Sequence, residues 1–192
     1  MKRMLMMVSS LAGLVLAAVL ISGLQGPAQG AEDSQSRIQQ GFAIAPVPLD
    51  LRGKNLALVG LGSYIVNAQS VCADCHSCPT YAPGHNPFLG KEGQLNTANY
   101  LARGVPFGPF TSRNITPDDQ GKPAGFTFDE FLRVLRTGID LEQEHPQISP
   151  LLQVMPWPIF RNMIYRDIRA IYEYLSAIPH AEPGTTCTGP GQ

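Results

Sequence analysis

The sequence predicts an all-α domain with large ordered loops. Two stretches carry most of that prediction. In TFDEFLRVLRTG a capping box opens on Thr127 with Glu130 at the third helical position, and Phe128, Phe131, Leu132 and Leu135 form an apolar stripe. In the later IYRDIRAIYEYLSAIP, Ile164, Ile168, Ile171, Tyr172, Leu175 and Ile178 recur at the 3.6-residue period until Pro179 stops them. The third observation is an absence: the sequence holds no series of alternating strand-like runs and no internal repeat.

From the N-terminus, Lys2 and Arg3 precede an uncharged run from Met4 to Leu24, followed by QGPAQGAED. A basic start, an apolar middle and small residues at Ala28 and Gly30 read as a secretory signal over 1–30, cut after Gly30. The apolar run is also long enough to span a bilayer, so a retained membrane anchor is the other reading. Both export the rest of the chain. Residues 31–54 are polar and contain proline, and read as a linker. A first helix follows in KNLALVGLGSYIVNAQ, where Leu56, Val59, Ile65 and Val66 share a face. Gly60 and Gly62 weaken its intrinsic propensity but would let another helix come close. It should end just before Cys72. Residues 77–125 are rich in Gly and Pro without a long period, and a loop of that length in a compact domain suits the wrapping of a cofactor. The helix capped at Thr127 should end at Gly138, after Arg136 and Thr137. The domain therefore covers 55–180, with an irregular tail at 181–192.

Composition fits one domain: 192 residues, 44% hydrophobic and 15% charged, with 19 Gly and 17 Pro. Without the leader, 12 basic residues face 15 acidic ones. No basic patch for nucleic acid is present.

The chemistry concentrates in SVCADCHSCPTY, with Cys72, Cys75, His76 and Cys78 in seven positions. Structural zinc wants a second separated pair of ligands, which is missing. The opening C-x-x-C-x-x-C has ferredoxin spacing with Cys187 as a distant fourth ligand, but Ala82 stands where the next near cysteine belongs, and export of an unfolded chain works against a preassembled iron–sulfur cluster. A thioredoxin-type site needs a βαβ context. Cys72, Cys75 and His76 spell C-x-x-C-H, the c-type haem attachment pattern. Two thiols three residues apart reach two vinyl groups on one haem edge, and the adjacent imidazole falls beneath the iron. Cys78 is followed by Pro79, so the frame is unique.

A sixth ligand is then needed, unless the position stays open for catalysis. Past the leader there are two methionines, Met155 and Met163. Met163, at the start of the last helix, suits core packing. Met155 lies in LLQVMPWP between prolines, where a stiff loop would hold its thioether. The alternatives are His85, His145 and His180.

These residues resemble class I cytochromes c, over about 56–179: N-terminal helix, C-x-x-C-H, long loops, methionine loop, C-terminal helix. The resemblance implies the cytochrome c fold, with the first and last helices crossing near right angles beside one covalent haem c, and Gly62 and Ile65 meeting Tyr174 and Leu175. More narrowly, SRNITPD, TFDEFLRVLRTG, MPWP and DIRAIYEYLSAIP are similar to the domains in cytochrome subunits of membrane-bound alcohol and sugar dehydrogenases. Those subunits carry three C-x-x-C-H motifs where this chain has one. The resemblance implies a single-haem electron carrier with His76 and Met155 as iron ligands. Its partners would be redox proteins such as a dehydrogenase and an oxidase or other cytochrome. It would be periplasmic or otherwise extracytoplasmic, and touch membrane only if the N-terminal segment is retained.

The family's loop also suggests Pro87 as the carbonyl that holds the second ring nitrogen of His76, and Trp157 and Arg113 beside the haem propionates. Cys78 and Cys187, left over in an oxidising compartment, invite a disulfide that pins the tail. Two other functions stay open at this point: a haem enzyme of peroxidase type, needing an open distal position, and an iron–sulfur carrier.

Overall fold

The computed structural model describes residues 26–141 and 150–184. The chain falls into two units, 1–36 and 37–192. Residues 1–25 of the leader read over 1–30, His145 and Cys187 lie outside the described residues. Among the described residues no helix is long and apolar enough to cross a membrane.

Helix α1 is Gly26–Ile44. The linker expected over 31–54 is thus helical as far as Ile44. The reason lies in the second unit. Ile38 is buried, Phe42 packs on the core, and Gly41 sits so close to Gly60 that a Cβ there would overlap the Gly60 carbonyl. The Ser63 hydroxyl donates to the Gly41 carbonyl at 2.7 Å. The two apolar residues, one turn apart, are too short a stripe to stand out in a polar sequence. Beyond the helix, Val47 is buried and the Asp50 amide donates to the carbonyl of Ala177 at 2.8 Å, so this segment lies along the end of the domain.

Helix α2, Leu56–Tyr64, is N-capped by Asn55, whose side chain accepts from the Leu58 amide. It continues into a π-helical stretch, Ile65–Gln69, closed by the Ser70 amide on the Ile65 carbonyl at 2.8 Å. Short π segments of this kind recur at functional sites. Here the widened turn delivers the chain to helix α3, Cys72–His76.

The loop region contains a 3-10 turn at Pro87–Leu89 and a two-stranded antiparallel sheet, β1 (Pro106–Phe107) with β2 (Phe110–Thr111). The domain is mostly helical but not all-α as expected. The strands are two residues each, below the length at which alternation can be read. Gly108, at φ 63°, supplies the positive φ that a two-residue hairpin turn requires.

Helix α4, Phe128–Thr137, carries the expected capping box between Thr127 and Glu130 and ends at Gly138 with φ 71°. Helix α5 is the single turn Trp157–Phe160, and helix α6 is Tyr165–Leu175. The core joins α2, α4 and α6 through Val59, Leu61, Ile65, Phe131, Leu135, Ile168, Ile171 and Leu175. Gly62 lies directly on α6, against Ala170 and Tyr174.

A partly buried polar cluster sits inside this apolar frame. Asn67 donates to the Ser63 carbonyl at 3.0 Å and to the Tyr174 hydroxyl at 3.2 Å. The Tyr100 hydroxyl donates to Asn67 Oδ1 and lies 3.0 Å from that of Tyr174. Side chains from the π-helical stretch, the loop and α6 thus satisfy one another.

Candidate functional site

Helix α3 is one turn and a half, and its geometry arranges the C-x-x-C-H residues. Positions three and four apart share a helix face, so Cys72, Cys75 and His76 turn the same way. All three line one apolar cavity that opens to solvent. Val66, Phe126, Phe131, Leu135 and Ile171 supply much of the wall, and Met155 lies in it too.

Cys72 and Cys75 are free thiols. Burial, with Cys75 as a smaller contribution, pushes the Cys72 thiol up to about 12. Burial and then Asp74 raise that of Cys75. Neither surrounding favours a thiolate, the form that a bare metal ion would need. Cys78 departs from the other two: it is buried at 1% exposure and does not line the cavity. Ferredoxin-like spacing therefore does not bring three thiols to one centre. Among the described residues no group of three or more His, Cys, Asp or Glu is arranged to hold a metal ion.

The imidazole of His76 is oriented by a carbonyl, but by a different one from that expected. Its Nδ1 lies 2.8 Å from the backbone oxygen of Arg113. A carbonyl only accepts, so Nδ1 carries the proton and Nε2 keeps the lone pair. Pro87 instead begins the exposed 3-10 turn, where its carbonyl accepts from the Gly90 amide. The acceptor is 37 residues from His76 along the chain. Local motif spacing cannot find a partner at that separation.

Arg113 reaches the cavity wall, with its guanidinium engaged by protein groups. Nη2 binds Asp140 Oδ2 at 2.7 Å, with side-chain exposures of 9% and 3%. Nη1 donates to the Ala124 carbonyl at 3.2 Å, and the group lies 4.6 Å from the ring centre of Phe126. Sequence reasoning misses Asp140. The one available signal is an acidic residue two past a helix-ending glycine, which is common at surfaces. Trp157 stands outside the cavity lining: its indole packs on Gly138 and its Nε1 donates to the Leu152 carbonyl at 3.3 Å.

Met155 is half-buried, in a bend that follows a short paired segment. Ile139 bridges Leu151, the Asp140 amide donates to the Pro150 carbonyl at 2.8 Å, and the Leu152 amide donates to the Gly138 carbonyl at 2.8 Å. The end of α4 thereby aims the methionine loop. Met163 packs against the core and does not line the cavity. His85 lies in a turn, its amide on the Ala82 carbonyl at 3.0 Å. His180 binds the Pro117 carbonyl through Nδ1 at 2.8 Å and Glu182 through Nε2 at 3.1 Å. Neither histidine lines the cavity.

A haem fits this donor set. Two thiols and an imidazole with its Nε2 lone pair share one helical face, a thioether stands in the same wall, and the lining between them is apolar.

Several proteins of known role are similar in sequence. A nicotinate dehydrogenase subunit of Pseudomonas putida is 32% identical over 133 residues, 69% of this chain and 10% of that protein. The gluconate 2-dehydrogenase cytochrome c subunit of Pantoea cypripedii is 30% identical over 120 residues, 62% of this chain and 23% of the relative. The cytochrome c subunit of the quinone-linked alcohol dehydrogenase of Gluconacetobacter polyoxogenes is 31% identical over 145 residues, 74% of this chain and 26% of the relative. This chain therefore spans between about a tenth and a quarter of the length of these relatives. No family model and no solved structure matches it.

Proposed function

We propose that this chain is a single-haem cytochrome c that transfers electrons outside the cytoplasm and catalyses no substrate reaction itself. One observation carries the reading: the short helix α3 puts Cys72, Cys75 and His76 into the wall of the same apolar cavity as Met155. Cys72 and Cys75 would form thioethers with one haem, and His76 Nε2 and the Met155 sulfur would ligate its iron. Bound there, haem supplies a one-electron couple whose potential His/Met ligation raises. The chain's own share is to orient the imidazole through the Arg113 carbonyl, exclude water with apolar walls, and hold the thioether on a short braced loop. The packing of α2 on α6 through Gly62 supports a cytochrome c fold.

The names of the relatives support a dehydrogenase as electron donor. The acceptor would be an oxidase or another cytochrome. Export would follow from the N-terminal segment, cut after Gly30 or kept as an anchor. Cys78 and Cys187 would form the disulfide that pins the tail. What supports this is the path of the chain before Cys187: Gly184 lies so close to the Cys78 backbone that a Cβ would overlap its carbonyl. The Asn99 amide group also holds the Glu182 carbonyl at 2.8 Å.

Haem staining after denaturing electrophoresis, with intact mass, tests the proposal. The expected result is one covalent haem per chain and a low-spin reduced spectrum with a sharp α band. A chain mass without haem would overturn it, and a five-coordinate high-spin spectrum would move the function to a haem enzyme of peroxidase type.

A further inference from the structure

We propose that the buried Arg113–Asp140 ion pair is a positioning device that couples the two axial-ligand sides of the cavity, the His76 side and the Met155 side. The inference rests on the haem reading above. The main chain of Arg113 holds His76 Nδ1 at 2.8 Å. Its side chain runs the other way, to Asp140 at 2.7 Å. Asp140 belongs to the segment just after α4, and its amide holds the Pro150 carbonyl. The neighbouring Leu151 and Leu152 complete that pairing, Leu152 three residues before Met155. A continuous path of hydrogen bonds and one ion pair thus joins the imidazole to the start of the methionine loop.

The burial of the pair makes it more than a surface contact. The carboxylate is 3% exposed and the guanidinium 9%. A surface pair would be screened and weak, whereas this one sits in the cavity wall, where charges are felt at longer range. The guanidinium is fixed on three sides, by Asp140, by the Ala124 carbonyl and by the face of Phe126. Ala124 holds a left-handed conformation at φ 57° without being glycine, a strained geometry kept where the surroundings demand it. A paired carboxylate and guanidinium present a neutral dipole to the cavity. Losing one partner would leave a net charge in its wall.

Asp140→Asn keeps the shape and one hydrogen bond to Arg113 but removes a negative charge from the wall. A wall that is one charge more positive favours the reduced state, so the potential rises. The loosened brace also makes Met155 easier to displace. The double variant Arg113→Gln/Asp140→Asn leaves the net charge of the wall as in the unsubstituted protein and can still form a hydrogen bond across it.

The experiment measures reduction potential and imidazole binding on the purified haem-loaded protein. Asp140→Asn should shift the potential upward and tighten imidazole binding about tenfold, or roughly 1.4 kcal/mol. The double variant should bring the potential back toward that of the unsubstituted protein. A merely structural pair would leave the double variant at least as disturbed as the single one, and that result overturns the proposal. So would an Asp140→Asn protein with unchanged potential and imidazole affinity. Absence of covalent haem from the unsubstituted protein would instead sink the site reading beneath it.

Discussion

Gly62 and Tyr174 meet where α2 crosses α6: a Cβ at position 62 would stand 2.7 Å from the Cβ of Tyr174 and overlap the carbonyl of Ala170. The glycine sets the distance between the two helices, and that distance closes the core behind the cavity. The obstacle is largely backbone, which cannot rotate aside as a flexible side chain would.

Gly62→Ala should therefore destabilise the protein although alanine is the better helix former. Overpacking of about 1–3 kcal/mol outweighs a propensity gain of up to ~1 kcal/mol. Thermal unfolding should fall by roughly 2–8 °C. Gly93→Ala, whose added Cβ would make only ordinary contact with Pro87 at 3.4 Å, should stay within about 0.5 kcal/mol. Equal melting of the two variants would contradict the close approach.

Met155→Ala should turn the haem high-spin, or open it to small ligands, while leaving covalent attachment intact. Met163→Ala should keep the low-spin spectrum and lose about 2–5 kcal/mol at most, the cost of an emptied core position. The reverse pattern would reassign the ligand.

The tyrosine pair gives a stability test without haem chemistry. Tyr100→Phe removes the hydroxyl that serves Asn67 and Tyr174 and should cost about 1–3 kcal/mol, because Asn67 loses a buried donor. Tyr174→Phe should cost a similar amount, and the double variant less than the sum, since the residues share one network. Burial and the neighbouring Tyr174 push the Tyr100 phenol well above its usual range. Alkaline titration of the folded protein should leave it un-ionised after the surface tyrosines have turned over.

His180 predicts a pH dependence. The Pro117 carbonyl and then Glu182 raise its ionisation above the ordinary histidine value of 6.5 by holding the protonated ring. A folded value above the unfolded one gives stability that is fully present below about 6.5 and fades as pH rises through the folded value. His180→Gln should thus lose more stability near about pH 5.5 than near about pH 8.5. The NMR midpoint of His180 in the folded protein should exceed about 6.5. A midpoint below that would break the assignment.

Cys187→Ser should lower stability and leave Cys78 open to alkylation on unfolding. Closing a loop of about 109 residues contributes on the order of 4–5 kcal/mol in the chain-entropy treatment. An unchanged melt, with two alkylatable thiols already present in the parent beyond Cys72 and Cys75, would remove the bridge.

Features that depend on a few neighbouring residues were legible along the chain. The Thr127–Glu130 capping box, the helix stop at Gly138 and the shared face of Cys72, Cys75 and His76 all follow from spacings of three or four along a helix. The glycines of α2 signalled close approach by another helix, though not which one. The tertiary structure decided the partners. It gave Gly60 to α1 and Gly62 to α6, chose Arg113 over Pro87 for His76, and joined Arg113 to Asp140. Each of those contacts links residues many positions apart, or in different loops. The two made by Arg113 depend on the path of the chain through 77–125, where Gly and Pro allow many routes and no period selects one. The route taken is the one in which buried carbonyls, amides and charges find partners while the apolar residues close around one cavity.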